Sequence, residues 1–470
     1  MTSGALLVHG YHPYAEDAEI YLPGVLKQLH PELYPFNADF FEAHAHMTLF
    51  PRFVAEAVRL SHLSLETTMF VLQMASYFLL LLACWRMSGL LFRSGRARWG
   101  AVGLVAALFT IPIAGTALYL MDQYLNPRNL VAFAAVYALV MVLEKKYVRC
   151  GAFCVVAGLF HPLMAVFVIF LAALLVILQQ PRWGWLSAGC LLPFGFSLDP
   201  PSAAYHEAMR FRPYHYFLQW HWYEMFGVAA SMALLWVMGR VARAKQLRKV
   251  ALVCRALLVY EAVCVVAAIV LALPRSLEAF ARIQPMRSLY LLFLLMLLVL
   301  GGMLGEFVLR GKAWRWAALF VPLCAGMFLA QRALFPASAH LELPGRKARN
   351  PWLQAFLWIR SNTPVNAVFA LDPGHMGIEG EDENGFRAAA ERSMLADELK
   401  DSGAVSMFPQ LAGTWLSQVK AQQGWTDFER NDFERLRRDY GVSWVVVQGG
   451  NSRGLDCPFG NDAVLVCAIN

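Results

Sequence analysis

The chain is 470 residues long, 58% hydrophobic and only 16% charged, with a mean hydropathy of +0.47. So much apolar surface exceeds what one water-soluble core buries, which excludes a soluble globular enzyme. Abundant aromatics, scattered Gly and Pro, and nine cysteines in this length also exclude a disordered chain, a collagen-like repeat and a small disulfide scaffold. What remains is an α-helical polytopic membrane protein. Residues 1–344 carry a net charge of +10 and residues 345–470 a net −3, so a basic membrane region precedes a mildly acidic soluble one. The basic residues sit in short loops between apolar runs, without interleaved aromatics. They point to the lipid bilayer and its anionic headgroups, and to no nucleic acid.

In chain order, Ala5 to Val8 is apolar but too short to cross a bilayer, and a truncated first helix is expected there. Residues 1–68 form a first extracytoplasmic loop with an acidic motif and an amphipathic helix over Ala18 to Leu29. A transmembrane bundle follows over 69–334, with about ten spans: 69–92, 99–119, 129–143, 147–160, 163–179, 183–198, 221–239, 250–273, 288–310 and 314–334. Alternate turns collect Arg93, Arg96 and Arg98, then Lys145, Lys146 and Arg149, then Arg182, then Arg240, Arg243, Lys245, Arg248 and Lys249, then Arg310, Lys312 and Arg315. By the positive-inside rule these face the cytoplasm, and the other loops face outward. Residues 345–470 read as an extracytoplasmic α/β domain. It has a helix near 351–361, a strand at 365–371, helices near 386–400, 409–423 and 427–439, and strands at 444–448 and 463–469. The acidic stretch Glu379 to Asn384 reads as a solvated turn. Cys457 and Cys467 are placed where an oxidising compartment would let them pair. The multi-pass topology implies the inner, cytoplasmic membrane.

Ionisable groups concentrate in the outward loops, which is where a site is sought. Glu16 and Asp17 precede the helix at Ala18. Asp17 is either the N-cap of that helix or a catalytic acid or base, and one residue can serve as both. The short loop 121–129 places Asp122, Gln123 and Arg128 between two apolar runs, although Asn126-Pro127 is also a turn signal. His161, before Pro162, stands where two short spans meet, a pattern of binding sites and equally of a satisfied turn. Arg210 and Arg212, in the loop 199–220, suit a lipid phosphate or anchor at headgroups. Glu42, His44 and His46 would bind a metal only from a strand-like segment. Glu261 lies closest to mid-membrane.

An outward acidic motif (Glu16, Asp17), an aspartate in the next outward loop (Asp122), many spans and an outward C-terminal α/β domain together resemble the GT-C superfamily of membrane glycosyltransferases. The stretch Glu16 to Phe41, the GLFHPL at 158–163, and the tail's WIRSNTPVNAVFALDP, FRAAAERS and YGVSWVVV also resemble an uncharacterised bacterial group near it. The resemblance implies transfer of a sugar from a lipid-linked, polyprenyl-phosphate donor to an envelope acceptor. Asp17 would be the base, with Glu16 as the alternative, and Asp122 a supporting or metal-binding carboxylate. Arg128, Arg210 and Arg212 would hold phosphate, with a divalent cation as possible cofactor; Gln123 and His161 are candidate substrate contacts from their own loop positions, where His161 could bond a phosphate or sugar hydroxyl or relay a proton. The Trp-Trp-Asp motif of oligosaccharyltransferases is absent, which argues against N-glycosylation of proteins. The alternatives are a transporter or flippase of an envelope lipid or glycan, which predicts ionisable groups through the membrane depth and an internal repeat, and a non-catalytic scaffold.

Overall fold

The computed structural model describes residues 1–179, 202–272, 280, 282–450 and 452–469. Six of its helices are long and apolar enough to cross a membrane: Leu65–Leu91, Pro162–Gln179, Trp222–Ala244, Arg248–Leu271, Pro285–Leu309 and Ala313–Leu334. Two shorter apolar helices, Pro127–Leu143 and Tyr147–Phe160, pack among them. The described residues thus form a mostly helical, multi-pass membrane protein with a small C-terminal sheet, and among them the expected count of about ten spans is not reached. The expected span 183–198 lies outside the described residues.

The expected span 99–119 is corrected. Helix Gly95–Ala107 stops early, and the chain turns through a hairpin of Pro112–Ile113 (β1) and Leu118–Tyr119 (β2). Pro112 cannot continue a helical ladder. Gly115 takes the left-handed backbone at φ +60, and a Cβ there would fall 2.3 Å from the Trp220 indole, so glycine lets Trp220 seat on the turn. Polar caps fix the helix starts. Ser64, Ser94 and Asn126 each accept a backbone N–H of the first turn, and Pro127 occupies the first helical position. Helix Gly95–Ala107 lies so close to helix Leu289–Met303 that a Cβ on Gly100 would sit 2.3 Å from the Gly301 carbonyl oxygen. Small residues permit that approach where no hydrophobic force drives helices together. At the N-terminus, Thr2–His9 is a short helix, and its His9 ring bonds the Thr110 hydroxyl at 2.7 Å and the Ala106 carbonyl at 2.9 Å.

The tail holds a five-stranded sheet of Val368–Ala370 (β3), Ser393–Met394 (β4), Trp444–Gln448 (β5), Asp456–Gly460 (β6) and Val464–Ala468 (β7), in the order β4-β3-β5-β7-β6. β3 runs parallel to β4 and β5, and the other pairings are antiparallel. Alternation along β5 decides the two faces. Val446 packs with Trp352 and Phe356 of helix Pro351–Asn362, and Val445 and Val447 pack with Phe433 and Leu436 of helix Arg430–Tyr440. Cys457 and Cys467 are disulfide-bonded. The single helix expected over 386–400 is in fact helix Phe386–Ala390, ended by Glu391 in the left-handed region (φ 54), then β4, then helix Lys400–Met407.

The first loop and the tail are stitched together. The Glu16 N–H donates to the Glu383 carbonyl at 2.8 Å, and the Gly385 N–H donates to the Tyr14 carbonyl at 2.8 Å. Buried Arg387, in the tail, pairs with Glu19 at 3.1 Å and Asp401 at 2.7 Å. Removing its guanidinium would strand two buried carboxylates, at a cost on the order of 3–5 kcal/mol. The acidic stretch 379–384 is therefore not the solvated turn expected. Glu381, Asp382 and Asn384 are buried under the first loop, and Asp382 accepts the Ser338 N–H at 2.6 Å.

Candidate active site

The helix starting at Ala18 opens without a side-chain cap from Asp17. The carboxylate instead faces Lys400, whose Nζ lies 3.2 Å from Asp17 Oδ1 and also pairs with Glu16 Oε2. The capping reading of Asp17 fails because that ammonium holds the side chain away from the helix N–H groups. Glu16 itself adopts φ +57, a strained backbone for a residue with a Cβ, and such strain concentrates at functional sites. Burial pushes both carboxyls up, but Lys400 more than offsets it. Glu16 is held below the usual range, and Asp17 is held at about 2 with help from Arg128. Glu383 faces Glu16, and burial together with that hydrogen-bonded neighbour pushes its carboxyl up to about 9, so it is protonated at neutral pH.

The loop after the hairpin is knotted by polar contacts. The Asp122 carboxylate accepts from Asn126 Nδ2 at 2.6 Å and pairs with Arg128, while its carbonyl accepts from Gln73 at 2.7 Å and Tyr77 at 3.1 Å. The Tyr124 hydroxyl receives the Asp17 N–H at 3.2 Å, which couples this loop to the acid pair. Asp122 therefore anchors Arg128. Burial raises its carboxyl, and Arg128 and Asn126 only partly oppose that.

Two cavities meet at Asp17. One, of about 330 Å³, is largely apolar and runs from Asp17 past Ile20, His161 and Leu163 to Val166 and Ile169 of helix Pro162–Gln179. The other, of about 470 Å³, is polar and aromatic, with Glu16, Asp122, Tyr119, Tyr124, Trp220 and Lys400 in its wall. Asp17, Arg128, Arg212, Tyr214 and Arg287 line both. Arg212 and Arg287 lie over the Tyr214 ring, each 5.9 Å from its centroid. Arg212 is also held by the Ser402 hydroxyl at 3.2 Å. Arg128 Nε, Arg212 Nη2 and Arg287 Nε are buried donors with no acceptor among the described residues. Buried unsatisfied donors are costly, so three of them around one point suit a polyanion.

The chain is similar to solved structures of archaeal oligosaccharyltransferases, at TM-scores below 0.5. It is similar to the Archaeoglobus fulgidus oligosaccharyltransferase in complex with Zn and sulfate, with a TM-score of 0.48, 14% identity, and coverage of 95% of this chain and 67% of that one. Similar too are the same organism's AglB in complex with an inhibitory peptide and a dolichol-phosphate (0.46, 12%, 95% and 68%) and the enzyme tethered to an acceptor peptide (0.46, 13%, 95% and 68%). No protein-family profile and no curated protein matches the chain. At this level of similarity, the chemistry and ligands of those proteins do not carry over to this one.

The expected site residues divide by position. Glu16, Asp17, Asp122, Arg128, His161 and Arg212 reach the two cavities. His161 Nδ1 also accepts the Met164 N–H at 3.3 Å, capping the following helix as a turn histidine does. Arg210 does not reach them, since it is exposed and pairs with Glu207 at 3.1 Å. Gln123 lines neither cavity, because its amide is buried against Gln331. Glu42, His44 and His46 fall on helix Asp39–Met47 and not on a strand, which turns His44 away from the face that Glu42 and His46 share. Glu42 pairs with Lys27, and His44 lines the apolar cavity, where burial holds its imidazole down at about 4. Among the described residues no three His, Cys, Asp or Glu side chains gather to hold a metal. The site carboxylates already have cationic partners, Lys400 for Glu16 and Asp17 and Arg128 for Asp122, so this donor set does not fit a divalent cation. Glu261 is buried and accepts from the Ser288 hydroxyl at 3.0 Å.

Lys400, Glu383, Tyr214 and Arg287 escape the sequence reading. Lys400 is 384 positions from Glu16, so no local spacing ties them. Arg287 gave a usable signal, as a cation just before an apolar run, but anchoring at the membrane interface explains such a residue as readily.

Proposed function

We propose that this chain is an inverting membrane glycosyltransferase, moving a sugar from a polyprenyl-phosphate carrier to a hydroxyl of an envelope acceptor on the extracytoplasmic side of the inner membrane, where its C-terminal domain also lies. The observation that carries the reading is Asp17 at the junction of an apolar and a polar cavity, among three arginines with unmet donors. The carrier's hydrocarbon fits the apolar cavity along Leu163, Val166 and Ile169. Its phosphate meets Arg128, Arg212 and Arg287, and the acceptor occupies the polar cavity.

In the reaction, Asp17 takes the proton of the acceptor hydroxyl as that oxygen attacks the anomeric carbon. The bond from that carbon to the phosphate oxygen breaks, and the arginines neutralise the charge that develops on the departing phosphate. Attack from the side opposite the phosphate inverts the anomeric centre. Lys400 orients the Asp17 carboxylate and keeps it ionised, while Asp122 fixes the Arg128 guanidinium. The test is turnover in proteoliposomes supplied with radiolabelled polyprenyl-phosphate sugars and an envelope extract as acceptor. Loss of a general base costs about 10²–10⁴ in rate, so Asp17→Asn should lose at least about 100-fold while still folding and retaining donor. Wild-type turnover by that variant would remove Asp17 as the base.

A further inference from the structure

A separate cavity of about 530 Å³ lies on the other side of the first loop, between Tyr11 to Tyr14, the start of helix Leu65–Leu91, and the linker 339–348. Helix Ala313–Leu334 ends just before this linker, so the cavity stands beside the ends of two membrane-spanning helices. Its charges are layered. Inside sits Glu342, with a side chain only 9% exposed. Its Oε2 meets His12 at 3.2 Å, while its Oε1 is buried without a partner among the described residues. The Tyr11 hydroxyl, on a side chain 1% exposed, is likewise buried and partnerless. The other carboxylate, Glu66, is already engaged by the Tyr14 hydroxyl at 3.1 Å and by Arg360 at 3.3 Å. At the mouth stand Arg346 and Lys347, both exposed, and apolar Leu343, Pro344, Leu353 and Leu357 complete the wall.

Two unmet polar groups in the interior call for a hydrogen-bonding cation, since a buried carboxylate oxygen without a partner is costly. The two rim cations call for an anion a few ångströms further out. The apolar wall beside the bilayer calls for a hydrocarbon attachment. One molecule meets all three demands. We propose that this cavity binds the headgroup of an ethanolamine phospholipid, with the primary ammonium on Glu342 and Tyr11, the phosphate at Arg346 and Lys347, and the acyl chains in the membrane. Binding there would tether the linker, and with it the tail domain that carries Lys400, to the bilayer surface. The site is independent of the sugar-transfer reading, because none of these residues lines the two cavities at Asp17.

The experiment is native mass spectrometry of the full-length protein in detergent, titrated with phosphatidylethanolamine, phosphatidylcholine or phosphatidylglycerol. The choline lipid keeps the positive charge but has no N–H, and the glycerol lipid keeps the phosphate but has no amine. We expect phosphatidylethanolamine to be retained about tenfold more tightly than either, the effect of one charge-assisted hydrogen bond. Glu342→Gln should remove that preference while leaving phosphatidylglycerol retention unchanged. Arg346→Ala with Lys347→Ala, changes at exposed positions that folding tolerates, should weaken both of those lipids. Equal retention of all three lipids, or an undiminished ethanolamine preference in Glu342→Gln, would overturn the proposal. So would displacement of the lipid by soluble phosphoethanolamine at equal concentration, which would assign the cavity to a soluble ligand.

Discussion

Replacing Lys400 by methionine asks what keeps Asp17 ionised. The lysine Nζ stands 3.2 Å from Asp17 Oδ1, and unit charges at that distance attract by about 5 kcal/mol at the effective dielectric of a site near the surface. The Asp17 side chain is 35% exposed, so solvent screening leaves about 2 kcal/mol of that attraction, equivalent to about 1.5 pH units. Burial, the strongest influence on this carboxyl, then acts against fewer opposing charges, and its titration should rise from about 2 to between about 3.5 and 4. A base works only when ionised, so activity is held above that value and lost as pH falls through it. The assay is kcat/KM for sugar transfer between pH 3.5 and 8, with the melting temperature followed at each pH. We expect no acid limb in the wild type, a limb near pH 4 in Lys400→Met, its absence in Lys400→Arg, and rates within about tenfold of wild type at pH 7.5. A Lys400→Met profile that, like the wild type, shows no acid limb would refute the electrostatic reasoning. So would a loss beyond about 100-fold at pH 7.5, which would make Lys400 a participant in proton transfer.

Arg212→Ala and Arg287→Ala should each raise the donor KM by about 10–100-fold, the worth of a charge-assisted contact to phosphate, whereas Arg210→Ala, whose side chain is exposed and paired with Glu207, should leave KM unchanged. Glu383 carries a carboxyl raised to about 9 and so binds a proton on folding at neutral pH. Its stabilising share is complete below the ordinary carboxylate range and falls as pH rises through 9. The wild-type melting temperature should therefore drop more steeply between pH 6 and 9 than that of Glu383→Gln. Val166→Trp narrows the apolar cavity and should depress transfer from a long polyprenyl carrier, measured as kcat/KM, much more than transfer from a short-chain analogue.

Much of the membrane architecture is legible from apolar runs and their flanks. Helix Ala18–Leu29 and strand Trp444–Gln448 fall where local pattern places them, because an amphipathic repeat and a β-branched run each have one comfortable solution. The stretch 99–119 misleads for the opposite reason. Hydropathy averages over Pro112 and Gly115, and it is those two residues that fold the chain into the hairpin beneath Trp220. Within the site, Asp122 and Arg128 are readable because a loop of a few residues cannot carry them apart. Lys400 and Glu383 join by docking of the tail, of which a single sequence carries no trace, and Arg287 joins by convergence of distant helices, where its only sequence signal reads equally as interface anchoring. The acidic stretch at 379–384 shows the same blind spot, since its charge suggests solvent until the first loop covers it.

The most direct measurement is photo-crosslinking with a polyprenyl phosphate that bears a diazirine near its phosphate end, followed by peptide mapping of the labelled protein in nanodiscs. We expect label on Ile20 to Tyr21 and on Leu163 to Ile169, the walls of the apolar cavity, with labelling reduced in a double Arg212→Ala, Arg287→Ala variant. Label concentrated on Ala313–Leu334, a helix with little of its surface buried by the rest of the protein, and indifferent to the arginines, would mean that the carrier meets this protein only as bulk lipid. The assignment of Asp17 to sugar transfer would then be contradicted.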